Sequence, residues 1–322
     1  MPASILSFKH FIVIITLSFA YSAQAQFVPL TEFGNNPGEL TASYLQPKAS
    51  TSALVVFLHG CVQNAEQLAE QSDLVALAKH HNFTLLLPQQ SKKNNVKLCF
   101  NWFSPHDNHK DKGEMQSIKN MILALKKQSK ADNVYLGGLS AGGAMASAML
   151  VNYPELFTSA AIIAGIPYPC ADDIIKAIAC MRNGPSLSAK TLAKKVKTLI
   201  NTTDKLPSLL VIAGKNDKVV NPKNAFVLAQ QWALLKHLTT PTVQHYDDYQ
   251  VSLWQNTNQT PQVKLMMIDN IGHGMSVNTH QAYGGTVAPF LLSAPFSSAI
   301  EMITFWNLTK NNKNQSISRM VL

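Results

Sequence analysis

Short continuous apolar runs recur along the chain and alternate with longer stretches of helical periodicity. Leu54 to Leu58 is one such run, of the kind that a strand buried on both faces presents. Phe83 to Leu87 is the next, and Pro88 is expected to stop it. Further strands are predicted at Val134–Leu136, Ala160–Ala164, Leu209–Ala213 and Val263–Ile268. Between them the spacing predicts helices over about Ala65–His81, Ser117–Lys127, Ala141–Leu150, Ala189–Leu199, Pro222–Leu235 and Ser297–Trp306. In the second of these, Ile118, Met121, Ile122 and Leu125 share one face. Strands alternating with helices throughout imply an α/β fold, with a mostly parallel sheet and helices on both faces. No repeat and no Pro/Gly-rich linker divides the chain, so a single domain is expected over residues 26–309.

The N-terminal pattern is different. Lys9 and His10 precede a ten-residue apolar stretch from Phe11 to Ala20, and Ala23-Gln24-Ala25 has the form of a cleavage site. Residues 1–25 therefore read as a secretory signal peptide. The protein is expected to be periplasmic or extracellular, with no membrane span once the segment is removed. Residues 310–322 form a polar, basic tail. In an oxidising compartment Cys61, Cys99, Cys170 and Cys180 read as disulfide partners, and spacing alone leaves three pairings open.

Composition narrows the function classes. The net charge of +9 comes from Lys: only Arg182 and Arg319 are arginines. Nucleic-acid readers depend on Arg for bidentate contacts, so a nucleic-acid partner is not expected. No CxxC pair occurs, and His106 and His109 have no ligand cluster around them, so neither a metal nor another cofactor is expected.

The chemistry gathers around Gly138-Leu139-Ser140-Ala141-Gly142, which follows one predicted strand and opens a helix. That context is the one a nucleophile elbow requires, with small residues two before and two after the serine. A serine needs a base to take its proton, and the base needs an acid to hold its tautomer. Asp217 follows the strand at 209–213 and His273 follows the strand at 263–268, so both fall at carboxyl ends of strands, where open sheets place ligands. The alternatives are weaker. Asp269 ends its strand directly and leaves three residues before His273, while Asp247 and Asp248 lie in a segment of no clear pattern. His280 lies in a small-residue loop, and His237 and His245 read as surface or packing histidines. An oxyanion hole would pair the amide of Ala141 with that of Cys61, because Gly60 lets the chain turn inward. His59 reads as a core histidine bonded to backbone.

Four stretches together are more specific: Leu58-His59-Gly60-Cys61, Cys99-Phe100-Asn101-Trp102-Phe103, Gly138 to Met145, and Ala164 to Ala171. Across residues 40–308 the chain resembles the poly(3-hydroxybutyrate) depolymerase family of esterases, which is close to feruloyl and acetylxylan esterases. The resemblance implies an α/β-hydrolase fold and a Ser140, Asp217 and His273 triad. It also implies Cys61–Cys99 and Cys170–Cys180 bridges, a Cys61 oxyanion amide, and Trp102 in the acyl pocket. The expected activity is hydrolysis of hydroxyalkanoate esters, polymeric or oligomeric. Feruloyl or acetylxylan ester hydrolysis is the alternative within enzymes, and a catalytically silent binding protein of the same fold is the alternative outside them. The chain departs from the family where His273 is followed by Gly274-Met275-Ser276 rather than Ala-Trp. That change makes Met275 a second candidate for the substrate pocket. The catalytic fold takes up the predicted mature chain, which favours soluble oligomers or amorphous polymer over crystalline polymer.

Overall fold

The computed structural model describes residues 27–47, 52–200 and 206–309. The signal segment expected over residues 1–25 and the basic tail at 310–322 lie outside these residues. In chain order the elements are β1 (Val28–Pro29), β2 (Thr41–Leu45), β3 (Ala53–Leu58), α1 (Ala65–Gln71), α2 (Leu74–His81), β4 (Thr84–Gln89), α3 (Gly113–Ser129), β5 (Asn133–Leu139), α4 (Ala141–Asn152) and β6 (Ser159–Ile163). They continue with α5 (Ile174–Asn183), α6 (Ala189–Leu199), β7 (Ser208–Gly214), α7 (Lys223–Leu235), β8 (Thr242–His245), β9 (Tyr249–Gln255), β10 (Pro261–Ile268), β11 (Met275–Val277), β12 (Leu291–Ser293) and α8 (Ser298–Phe305).

A ten-stranded sheet runs in the order β1-β2-β4-β3-β5-β6-β7-β10-β9-β8. Its middle, β4-β3-β5-β6-β7-β10, is parallel throughout, and antiparallel strands close both edges. Alternation along β3 explains the layers. Leu54, Val56 and Leu58 enter one core with residues of α3, α4 and α7, whereas Val55 and Phe57 enter another with α1, α2 and α8. Successive side chains of a strand point to opposite faces, so a run that is apolar at every position needs helices on both. This is the α/β-hydrolase architecture, and it is the fold class expected.

Several local expectations are corrected. The helix predicted over 65–81 breaks at Asp73, whose φ is 61°. The Asp73 carboxylate accepts the Gly285 amide at 2.9 Å, a long-range bond that no helical pattern reveals. Pro88 does not stop its strand. β4 runs on to Gln89, and Pro88 lies past Leu86, where the pairing with β3 ends, so its missing N–H interrupts no bond of that ladder. Asp247 and Asp248 fall in the turn of the β8–β9 hairpin at the antiparallel edge.

Trp232 anchors the α7 side of the sheet. It is 1% exposed, and its Nε1 donates to the Pro207 carbonyl at 2.9 Å. Trp232→Ala is expected to cost about 3–5 kcal/mol of unfolding free energy, measured by denaturant titration, because it opens a cavity and removes that donor.

Candidate active site

β5 ends at Leu139 and α4 begins at Ala141, so Ser140 alone makes the turn. Its φ of 56° and ψ of −118° lie where L side chains rarely sit. Its amide donates to the Ile163 carbonyl of β6 at 2.9 Å, which holds the turn against the neighbouring strand. A methyl group at Gly142 would run into the Leu58 and His59 carbonyls, and one at Gly138 into the Gly142 backbone. Both glycines are thus required by close backbone approach, and the helix starts directly behind the strand.

Loops from two further strands meet this turn. His273 Nε2 lies 2.8 Å from Ser140 Oγ, and His273 Nδ1 lies 2.7 Å from Asp217 Oδ2. A carboxylate only accepts, so Nδ1 carries the proton and Nε2 presents its lone pair to the serine hydroxyl. Asp217 is 5% exposed, and its other oxygen, Oδ1, accepts the amides of Val219 and Val220, each at 2.8 Å. The acid is thereby fixed by its own loop. The Lys215 amide bonds to the Ile268 carbonyl and the Asn216 amide to that of Ile271, which ties the acid and histidine loops together. Asp269 is engaged elsewhere, with Lys215 at 2.6 Å.

The loop after β3 offers three successive amides. Gly60 N–H donates to Gln63 Oε1 at 2.6 Å, and Val62 N–H to the Lys97 carbonyl at 2.7 Å. Among the described residues the Cys61 amide between them has no partner, and neither has the first helical amide, that of Ala141. Both pairs of cysteines are bridged, Cys61–Cys99 and Cys170–Cys180. His59 is fully buried; its Nδ1 donates to the Gly60 carbonyl at 2.7 Å, and its Nε2 accepts the Gln90 amide at 3.1 Å. Burial pushes its pKa down to about 4, so it is a neutral core histidine.

Trp102 is half-buried and packs with Ala144, Ile166, Cys180 and Val220. Ala144 lies one turn beyond Ser140, and Val220 belongs to the Asp217 loop, so this cluster forms an apolar wall beside the triad residues. Val220 had no distinguishing pattern in the sequence, whereas Ile166 lies in the Ala164–Ala171 stretch and the Cys170–Cys180 bridge is the one the resemblance implies. Across the site, Phe290 stands edge-to-face with His273 at 6.3 Å. A cavity of about 160 Å³ opens between Val62, Gln63, Pro289 and Phe290. Met275 must be corrected as a pocket candidate. It is 0% exposed in β11 and packs in the core with α8, so it presents no surface to a ligand.

The chain as a whole also matches known proteins. The esterase PHB depolymerase family model matches residues 40–245. The chain belongs to this family. It is 32% identical over 305 residues to poly(3-hydroxyalkanoate) depolymerase C of Paucimonas lemoignei, covering 91% of this chain and 73% of that one. Feruloyl esterase B of Thermothelomyces thermophilus is 27% identical over 70% of this chain and 79% of its own length. The acetyl xylan esterase of Aspergillus awamori superposes with a TM-score of 0.74 at 18% identity, over 88% of this chain and all of that one, and shares the fold. The family member described here is a carboxylic ester hydrolase.

The Cys61–Cys99 bridge joins residues 38 apart in sequence and closes a loop that begins at the Cys61 amide. Reduction is expected to lower stability by up to about 4 kcal/mol and to lower esterase activity, read by thermal unfolding and initial rates with and without reductant.

Proposed function

We propose that this chain is an exported serine esterase that cleaves hydroxyalkanoate esters, poly(3-hydroxybutyrate) or its oligomers, through an acyl-enzyme on Ser140. The observation that carries the mechanism is the unbroken relay from Asp217 through His273 to Ser140, at 2.7 Å and 2.8 Å. Ser140 Oγ attacks the ester carbonyl while His273 Nε2 takes its proton. Asp217 keeps the imidazole in the required tautomer and stabilises the imidazolium that forms. The amides of Cys61 and Ala141 donate to the oxyanion of the tetrahedral intermediate. His273 returns the proton to the leaving alkoxide, which departs as the alcohol. A water then enters and attacks the acyl carbon as His273 takes its proton, and His273 passes that proton to Ser140 Oγ as the acid leaves. Trp102, with Ile166 and Val220, lines one side of the acyl unit. The chemistry uses only groups of this chain.

The substrate class is supported by the identity to the Paucimonas lemoignei depolymerase over most of both chains. A second reading, hydrolysis of feruloyl or acetyl esters of plant carbohydrate, is supported by the feruloyl esterase relative. Export after cleavage near Ala25 is supported by the two disulfides, which persist in oxidising compartments.

Ser140→Ala is expected to lower kcat on an activated short-chain ester by about 10⁴-fold or more with an unchanged unfolding midpoint. Hydrolysis surviving in that variant would remove Ser140 from the mechanism. A 3-hydroxybutyrate trimer assayed against ethyl ferulate and an acetylated xylo-oligosaccharide separates the substrate readings. The trimer is expected to give the highest kcat/KM, and preference for either of the others would transfer the enzyme to carbohydrate esters.

A further inference from the structure

Glu114 stands in the first turn of α3, is 1% exposed, and takes no part in the chemistry above. Its carboxylate receives three N–H donors. Oε2 accepts the Asn101 amide at 2.8 Å, and Oε1 accepts Asn101 Nδ2 at 2.7 Å and Gln90 Nε2 at 2.5 Å. No ion pair to this carboxylate occurs among the described residues. Gln90, 2% exposed, extends the network in two directions. Its Nε2 also donates to the Cys99 carbonyl at 3.0 Å, and its backbone amide donates to His59 Nε2 at 3.1 Å. His59 in turn holds the Gly60 carbonyl. Gly60 precedes Cys61, and Cys61 is bonded to Cys99, so covalent and hydrogen bonds form a closed circuit. Asn101 adds a branch, because it directly precedes Trp102.

We propose that Glu114 is a positioning residue, whose carboxylate holds the Cys99–Trp102 segment and, through Gln90 and His59, the Cys61 amide where the oxyanion forms. The inference rests on the reading of Cys61 as an oxyanion donor. The chemistry of the network requires a carboxylate. Three donors converge on two oxygens, and a glutamine of the same shape would turn an NH₂ group against an N–H donor. Desolvation works against the ionised form, pushing the Glu114 pKa up to about 7. Removing the charge therefore relieves a burial cost, whereas removing the acceptor geometry releases the loop. Catalysis is thus expected to fall by more than the folded fraction does.

The test is Glu114→Gln, with Gln90→Met as a second variant that cuts the link to His59. For each, kcat and KM on a soluble activated ester, inhibition by an alkylboronic acid that forms a tetrahedral adduct on serine, and the unfolding midpoint are measured. A donor set out of place weakens the transition state and spares ground-state binding. The expected result in folded protein is a fall in kcat of about tenfold or more, KM within about twofold, and boronate affinity weakened in step with kcat. For Glu114→Gln any fall in the unfolding midpoint is expected to leave the protein folded at the assay temperature. Wild-type kcat in a folded variant, a change in KM alone, or a loss of activity that only tracks the folded fraction would overturn the proposal. Failure of both variants to fold would assign the network to folding and overturn it as well. Ser140→Ala run alongside keeps the two readings apart. If it is inactive while Glu114→Gln matches wild type, only this inference fails; if it stays active, the nucleophile assignment itself is wrong.

Discussion

The backbone of Ser140 is the constraint on which the site depends. A serine at φ 56° is unfavourable by about 1–3 kcal/mol, so the conformation persists only where its surroundings determine it. Here they do so from three sides. The Ile163 carbonyl takes the Ser140 amide, and Gly142 lies against the backbone at the end of β3. Gly138, on the other side of the turn, leaves room for the Gly142 backbone. The consequence is a hydroxyl aimed above the sheet and a helix whose first amide has no partner among the described residues. One strained turn thus carries both the proposed attacking atom and one of the two donors proposed to receive the negative charge.

The rest of the site is assembled around that turn by elements distant in sequence. β7 and β10 are adjacent parallel strands, so the loops after them emerge side by side and carry Asp217 and His273. The loop after β3 delivers Cys61, and its bridge to Cys99 joins it to the segment bearing Trp102. Rigidity therefore differs around the site. The relay side is held by short backbone bonds within two loops. The oxyanion and Trp102 side is held by a disulfide and a buried polar network, where each unsatisfied group would be costly.

The parallel middle of the sheet was legible because strands buried on both faces leave continuous apolar runs. The convergence of Ser140, Asp217 and His273 was legible for a related reason: each lies a few residues past the carboxyl end of such a run. The edges were not. All of β8 is exposed, so its residues carry no apolar signal, and β2 pairs at a distance with β4. Met275 was misread because a departure from the family's residue after the histidine says nothing about which way the side chain points; pairing of β11 with β12 under α8 turns it into the core. Glu114 and Gln90 gave no signal at all. Each is an ordinary polar residue in its own segment, and the network exists only once β4, α3 and the Cys99 loop are packed together.

The most direct test of this account is labelling by a fluorophosphonate ester followed by peptide mass spectrometry. The reagent phosphonylates a serine only where a base and an oxyanion hole serve it together. The account predicts one phosphonyl group per chain, on the peptide containing Ser140, and none after Asp217→Asn or His273→Ala on the same time scale. Labelling of another residue, or equal labelling when His273 is removed, would contradict it.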